Sequence, residues 1–143
     1  MNYGYDNLKV VMEQGGDVVK VLEDDSHVVN WVKNSFPLYE EGSINWTMVP
    51  FAKTASVSSH ENSREIDAAF ECMVEHVGGY EGEEVLVFWR DRNLPTISMP
   101  LWACRETLRW LLHVSPGTFV ISLDRKWCLE ADFHDHFYGA RVE

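Results

Sequence analysis

The chain has 143 residues, 45% apolar and 13% aromatic with six tryptophans, which excludes a disordered polymer and suits one domain spanning residues 1–143. It carries 23 acidic against 12 basic residues and no apolar run long enough for a membrane span, so neither nucleic acid nor membrane is an expected partner. The net charge of −11 lies wholly in residues 1–84, with 16 acidic and 5 basic side chains, whereas residues 85–143 hold 7 of each.

The first segment, "YDNLKVVMEQGG", places Leu8, Val11 and Met12 at helical spacing and stops at a glycine pair. "DVVKVLEDD" is short and apolar and fits helix or strand. "DDSHVVNWVKNSF" predicts a helix capped by Asp25 or Ser26, with Val28, Trp31, Val32 and Phe36 in one stripe and Pro37 as its stop. "SINWTMVPFAKTASVSS" is rich in β-branched and aromatic residues and reads as extended, with Pro50 at an edge or bulge. Asn62 followed by Glu65 is a capping arrangement, and Ile66, Ala69, Phe70, Met73, Val74 and Val77 then form one apolar helical face. "GGYEGEE" ends that helix.

"EVLVFWRD" predicts a strand and "LPTISMP" its partner, joined through a turn at Arg92 and Asn93. "LWACRETLRWLLHV" returns to helical period through Leu101, Cys104, Leu108, Leu111 and Leu112, ending at Pro116 and Gly117. "TFVISLD" and "KWCLEADF" predict two strands joined at Asp124 and Arg125. The order implies an α+β domain, a mostly antiparallel sheet of about five strands packed with three to four helices.

The opening "MNYGYDNLKV" lacks a basic region followed by an apolar run, so no secretory leader is expected. Cys72, Cys104 and Cys128 are odd in number and far apart, unlike a disulfide framework or a thiolate zinc site, and a reduced cytoplasmic setting is expected. In "DFHDHFYG", Asp132, His134 and His136 recur at every second position, which on a strand sets a carboxylate and two imidazoles on one face. A metal site needs a further ligand, and the spacing of His27, His60, His76 and His113 selects none of them. The stretch therefore reads as the polar end of the final strand, with a metal centre as the minority reading and no metal or cofactor expected. Cys72 and His76 lie one helical turn apart but flank an apolar stripe, which suits a structural cysteine better than a nucleophile and base. Glycine-rich phosphate loops, dinucleotide fingerprints and hydrolase motifs are absent from the sequence, so catalysis is not expected.

The acidic residues gather as Glu23, Asp24 and Asp25, as Glu40 and Glu41, and as Glu81 with Glu83 and Glu84, with Tyr39 and Tyr80 beside two of the groups. Acids around an aromatic anchor suit docking of a basic protein, the alternative being ordinary solvated loops. In size, acidity, lack of catalytic motifs and Trp-rich α+β character, with "VISLDRKWCLEADFHDHFYG" as a C-terminal strand pair, the chain resembles the immunity proteins of bacterial polymorphic toxins and contact-dependent growth inhibition. The resemblance implies a cytoplasmic, non-catalytic inhibitor that occludes the active site of a cognate basic toxin, often a nuclease. It carries over no residue by position. The docking residues expected from charge are Asp24, Asp25, Tyr39, Glu40, Glu41, Tyr80, Glu81, Glu83 and Glu84. A metal-binding protein using Asp132, His134 and His136, or a generic adaptor, are the alternatives.

Overall fold

Seven strands form one sheet in which every pairing is antiparallel, in the order β1-β4-β3-β5-β6-β7-β2. The computed structural model describes residues 3–41, 43–59, 61–91, 93–132 and 136–142. The strands are β1 (Lys20–Val21), β2 (Lys53–Ser56), β3 (Glu84–Trp89), β4 (Ile97–Pro100), β5 (Thr118–Ser122), β6 (Trp127–Ala131) and β7 (His136–Arg141). The helices are α1 (Tyr3–Gly15), α2 (Ser26–Ser35), α3 (Ser63–Val77), α4 (Leu101–Glu106) and α5 (Leu108–Leu111). The α+β class and the antiparallel sheet hold, with seven strands and five helices among the described residues in place of about five and three to four.

Alternation along the strands sends successive side chains to opposite faces, and both faces are covered. Val85, Val87 and Trp89 of β3 join Val120, Leu129 and Phe137 in a core with α1, α3, α4 and α5. Phe88, Phe119, Ile121, Cys128 and Ala140 join a second core with Val28 and Val32 of α2 and with Phe36, Ile44 and Trp46. Both faces of β5 and β6 are buried along their whole length, which explains why these strands read as nearly continuous apolar runs.

Helix α3 follows its sequence signals closely. The Asn62 side chain accepts from the Glu65 N–H, all six predicted stripe residues are buried, and Gly78 closes the helix in the left-handed region at φ 77. Other segments differ from expectation for local reasons. The helix predicted from Leu101 breaks at Thr107, whose hydroxyl donates back to the Ala103 carbonyl at 2.8 Å. The extended reading of residues 43–59 survives only at β2, because Trp46–Met48 forms a 3-10 turn and Phe51 takes a left-handed φ of 59. The ambiguous "DVVKVLEDD" splits into a 3-10 turn at Gly16–Val18 and the two-residue β1.

Candidate functional site

The sheet sorts the acidic groups to two opposite ends. Tyr80, Glu81 and Glu84 lie where β3 begins, whereas Asp24, Asp25 and Glu41 lie where it finishes. Asp25 is held there because Thr96, just before β4, donates its hydroxyl to the carboxylate at 2.5 Å. Glu41 shares a cleft with Arg90, the residue after β3. Six residues of β3 separate the two ends by about 17 Å at the usual strand rise. The acids therefore do not form one patch.

At the Glu84 end most of the expected docking residues are already engaged. Glu81 and Glu71 both pair with Arg105, and the Arg125 guanidinium lies over the Tyr80 ring at 5.3 Å. Glu83 is a correction to the expected surface cluster, for its side chain is only 3% exposed. Its carboxylate accepts from Ser122 Oγ at 2.5 Å, from Trp127 Nε1 at 3.2 Å and from the Tyr80 N–H at 3.3 Å. Strand parity could have revealed this, since 83 shares the inward phase of Val85, Val87 and Trp89. Glu84, in the opposite phase, is exposed.

At the Trp89 end the acids stay open to solvent around a cleft. Tyr39, Glu40 and Glu41 are exposed, and Asp24 is exposed at the start of α2. Asp24 accepts from the Ser26 N–H at 3.0 Å and Glu41 from Ser43 Oγ at 2.6 Å, and these hydrogen bonds hold both carboxyls below their ordinary range. The cleft encloses about 380 Å³ between α2 and the second sheet face. Its floor is the stacked pair Phe88 and Phe119, with ring centroids 4.9 Å apart, and Val29, Val32 and Leu38 form its walls. Lys33, Glu41 and Arg90 stand among the lining residues as its polar groups.

Beside the floor runs a part-buried polar chain that sequence reasoning missed. Arg90 Nη2 donates to Glu130 Oε2 at 2.8 Å, and Trp46 Nε1 donates to Glu130 Oε1 at 2.7 Å. Glu130 is 2% exposed, and burial raises its pKa although Trp46 and Arg90 pull the other way. The signal was present in "WCLEA", an acid at an inward position of a strand buried on both faces. Nearby, the Tyr138 phenol is pushed up to about 12, first by burial and then by the Asp132 carboxylate that accepts its proton at 3.2 Å.

The Asp132, His134 and His136 triad does not sit on one continuous strand. β6 stops at Ala131 and β7 starts afresh at His136, running antiparallel to it. Asp132 closes this hairpin, accepting from the His136 N–H at 3.0 Å as well as from Tyr138. His134 lies outside the described residues, and among those described no group of three or more metal-binding side chains gathers. Cys72 is half-buried against the first core, and His76 donates from Nε2 to the Phe51 carbonyl at 2.7 Å. No helix among the described residues is long and apolar enough to cross a membrane. In comparison with known proteins, the chain matches no family model and no curated sequence.

Proposed function

We propose that the protein is an immunity-type inhibitor, a non-catalytic cytoplasmic protein that binds a cognate basic toxin domain and occludes its active site. The observation that supports this reading is the cleft at the Trp89 end, an apolar floor of Phe88 and Phe119 with Glu41 in its lining and exposed Tyr39 and Glu40 just before it in the chain. Tight interfaces place an aromatic or aliphatic anchor in a desolvated pocket within a polar rim, and carboxylates on that rim steer a basic partner into contact. An active site that binds phosphates, as in a nuclease, presents the cations such a rim would meet. The residues put forward for contact are Asp24, Asp25, Tyr39, Glu40 and Glu41, with Tyr80, Glu81 and Glu84 secondary because Arg105 already pairs with Glu81 and Arg125 lies over the Tyr80 ring.

The test is binding to the toxin domain encoded immediately upstream, measured by surface plasmon resonance across a salt series. Association should slow steeply with ionic strength, and Glu40→Lys with Glu41→Lys should lower the association rate on the order of tenfold. The same reversal at Glu84 should change it little. Absence of binding to that domain, or an association rate indifferent to both salt and the Glu40 and Glu41 reversals, would sink the reading.

A further inference from the structure

Cations gather at the end of the sheet where β3 begins, the end that also holds Glu81 and Glu84. The β5–β6 turn, the end of β7 and the C-terminus of α3 enclose an open cleft of about 650 Å³, lined by Arg125, Lys126, Arg141, His76 and Phe51, with Asp124 its one acid among the described lining residues. Arg141 donates from Nε to the Arg125 carbonyl at 3.2 Å. A Cβ on Gly78 would stand 3.7 Å from both Arg125 Nη2 and Arg141 Nη1, so the two guanidinium groups flank the same glycine. Among the described residues the ion pairs fall on Arg90, Arg105, His113 and His136, and none falls on Arg125, Lys126 or Arg141. The carbonyl end of α3 offsets part of this positive charge, and the Arg125 guanidinium also lies over the Tyr80 ring at 5.3 Å.

Backbone conformation marks the same place independently. Phe51 and Lys126, at φ 59 and 60, are the two non-glycine residues in the left-handed region among those described, and both line this cleft. Glycine would adopt either conformation without steric cost, and strained positions of this kind concentrate at binding sites. The chain instead sets a cation at one position and an aromatic ring at the other. The Phe51 ring is 89% exposed, while its carbonyl is tied down by His76. Glu40 and Glu41 lie about 17 Å away, beyond the screening length of about 8 Å at physiological salt, and at the near end Glu81 is paired with Arg105.

We propose that this cleft binds a nucleoside phosphate, its phosphates held by Arg125, Lys126 and Arg141 and its base stacked on Phe51. Guanidinium forks match phosphate oxygens, and an exposed aromatic face accepts any base. The cleft exceeds the volume of a lone phosphate by severalfold. The site stands whether or not the docking reading holds, because its lining residues are not among those put forward for contact, although Arg125 also covers Tyr80.

Isothermal titration of the full chain with ADP, ribose 5-phosphate and adenosine tests it. ADP should bind saturably, ribose 5-phosphate about tenfold more weakly, and adenosine without detectable saturation. Arg125→Gln with Arg141→Gln should weaken ADP at least about tenfold. Phe51→Ala should weaken ADP and leave ribose 5-phosphate unchanged. Lys126→Gly should weaken ADP while the melting temperature holds or rises, since glycine suits that turn; this separates lost binding from lost folding. No saturable heat with ADP up to about 10 mM, or a double arginine variant that binds ADP like the wild type, overturns the site. Equal affinity for ADP and ribose 5-phosphate overturns the nucleoside assignment.

Discussion

Replacing Glu83 with alanine removes the acceptor shared by the Ser122 hydroxyl, the Trp127 indole N–H and the Tyr80 N–H. Trp127 and Ser122 are 0% and 1% exposed, so their donors have no route to bulk water. Each buried donor left without a partner costs about 1–3 kcal/mol, and a small cavity adds to this, giving a loss of roughly 3–5 kcal/mol. For a domain of this size about 1 kcal/mol moves the midpoint by roughly 3 °C, so the melting temperature should drop by about 10–15 °C. Glu83→Gln keeps an acceptor and loses only charge assistance, which should cost roughly half as much or less. Glu81→Lys and Glu84→Lys change exposed side chains and should stay within about 1 kcal/mol of the wild type. Thermal unfolding followed by near-ultraviolet circular dichroism reads all four, because Trp127 reports on its own packing. A Glu83→Ala melting temperature within about 3 °C of the wild type would refute the reasoning and return Glu83 to the surface. The comparison also guards the docking experiment, since charge reversal at Glu83 would lower binding by unfolding the protein.

Two further outcomes follow from the titrating groups. Glu130 has a folded pKa raised by burial above its ordinary 4.5, so its contribution is fully present below that ordinary value and is lost as pH rises through the folded one. Urea denaturation should therefore show Glu130→Gln gaining on the wild type as pH goes from below 4.5 to 7, and a pH-independent difference would contradict this. Burial pushes the Cys104 thiol up to about 12 and the Cys128 thiol well above its ordinary value, while Cys72 is half-buried. Iodoacetamide should accordingly label at most Cys72 in the native protein and all three after unfolding, as read by intact mass; rapid native labelling of Cys104 or Cys128 would show that the sheet opens readily.

Much of the fold was legible because its signals are local. The Asn62 cap, the apolar stripe of α3 and the glycine stop all act within a few residues, and the structure realises each one. Strand parity was equally available, yet it was not applied to the acids. Glu83 shares the inward phase of β3 and Glu130 sits on a strand buried on both faces, and reading Glu83 as a member of a charge cluster hid its burial. The hairpin at Asp132 was less accessible. Two short strands and their turn carry the same alternation as one long strand, so "DFHDHFYG" did not reveal that the chain reverses before His136.

By itself the sequence determined the α+β class, the helices α2 and α3, the strands β3, β5 and β6, and the concentration of negative charge in the first 84 residues. Only the tertiary structure decided which acids face water and which end of the sheet each one occupies. Glu83 meets a tryptophan 44 residues away and Glu130 meets one 84 residues away, across strand registers that no local propensity encodes. The same register brings Arg141 beside Arg125 and Lys126 at the end where β3 begins, while Glu41 shares a cleft with Lys33 and Arg90 at the end where it finishes.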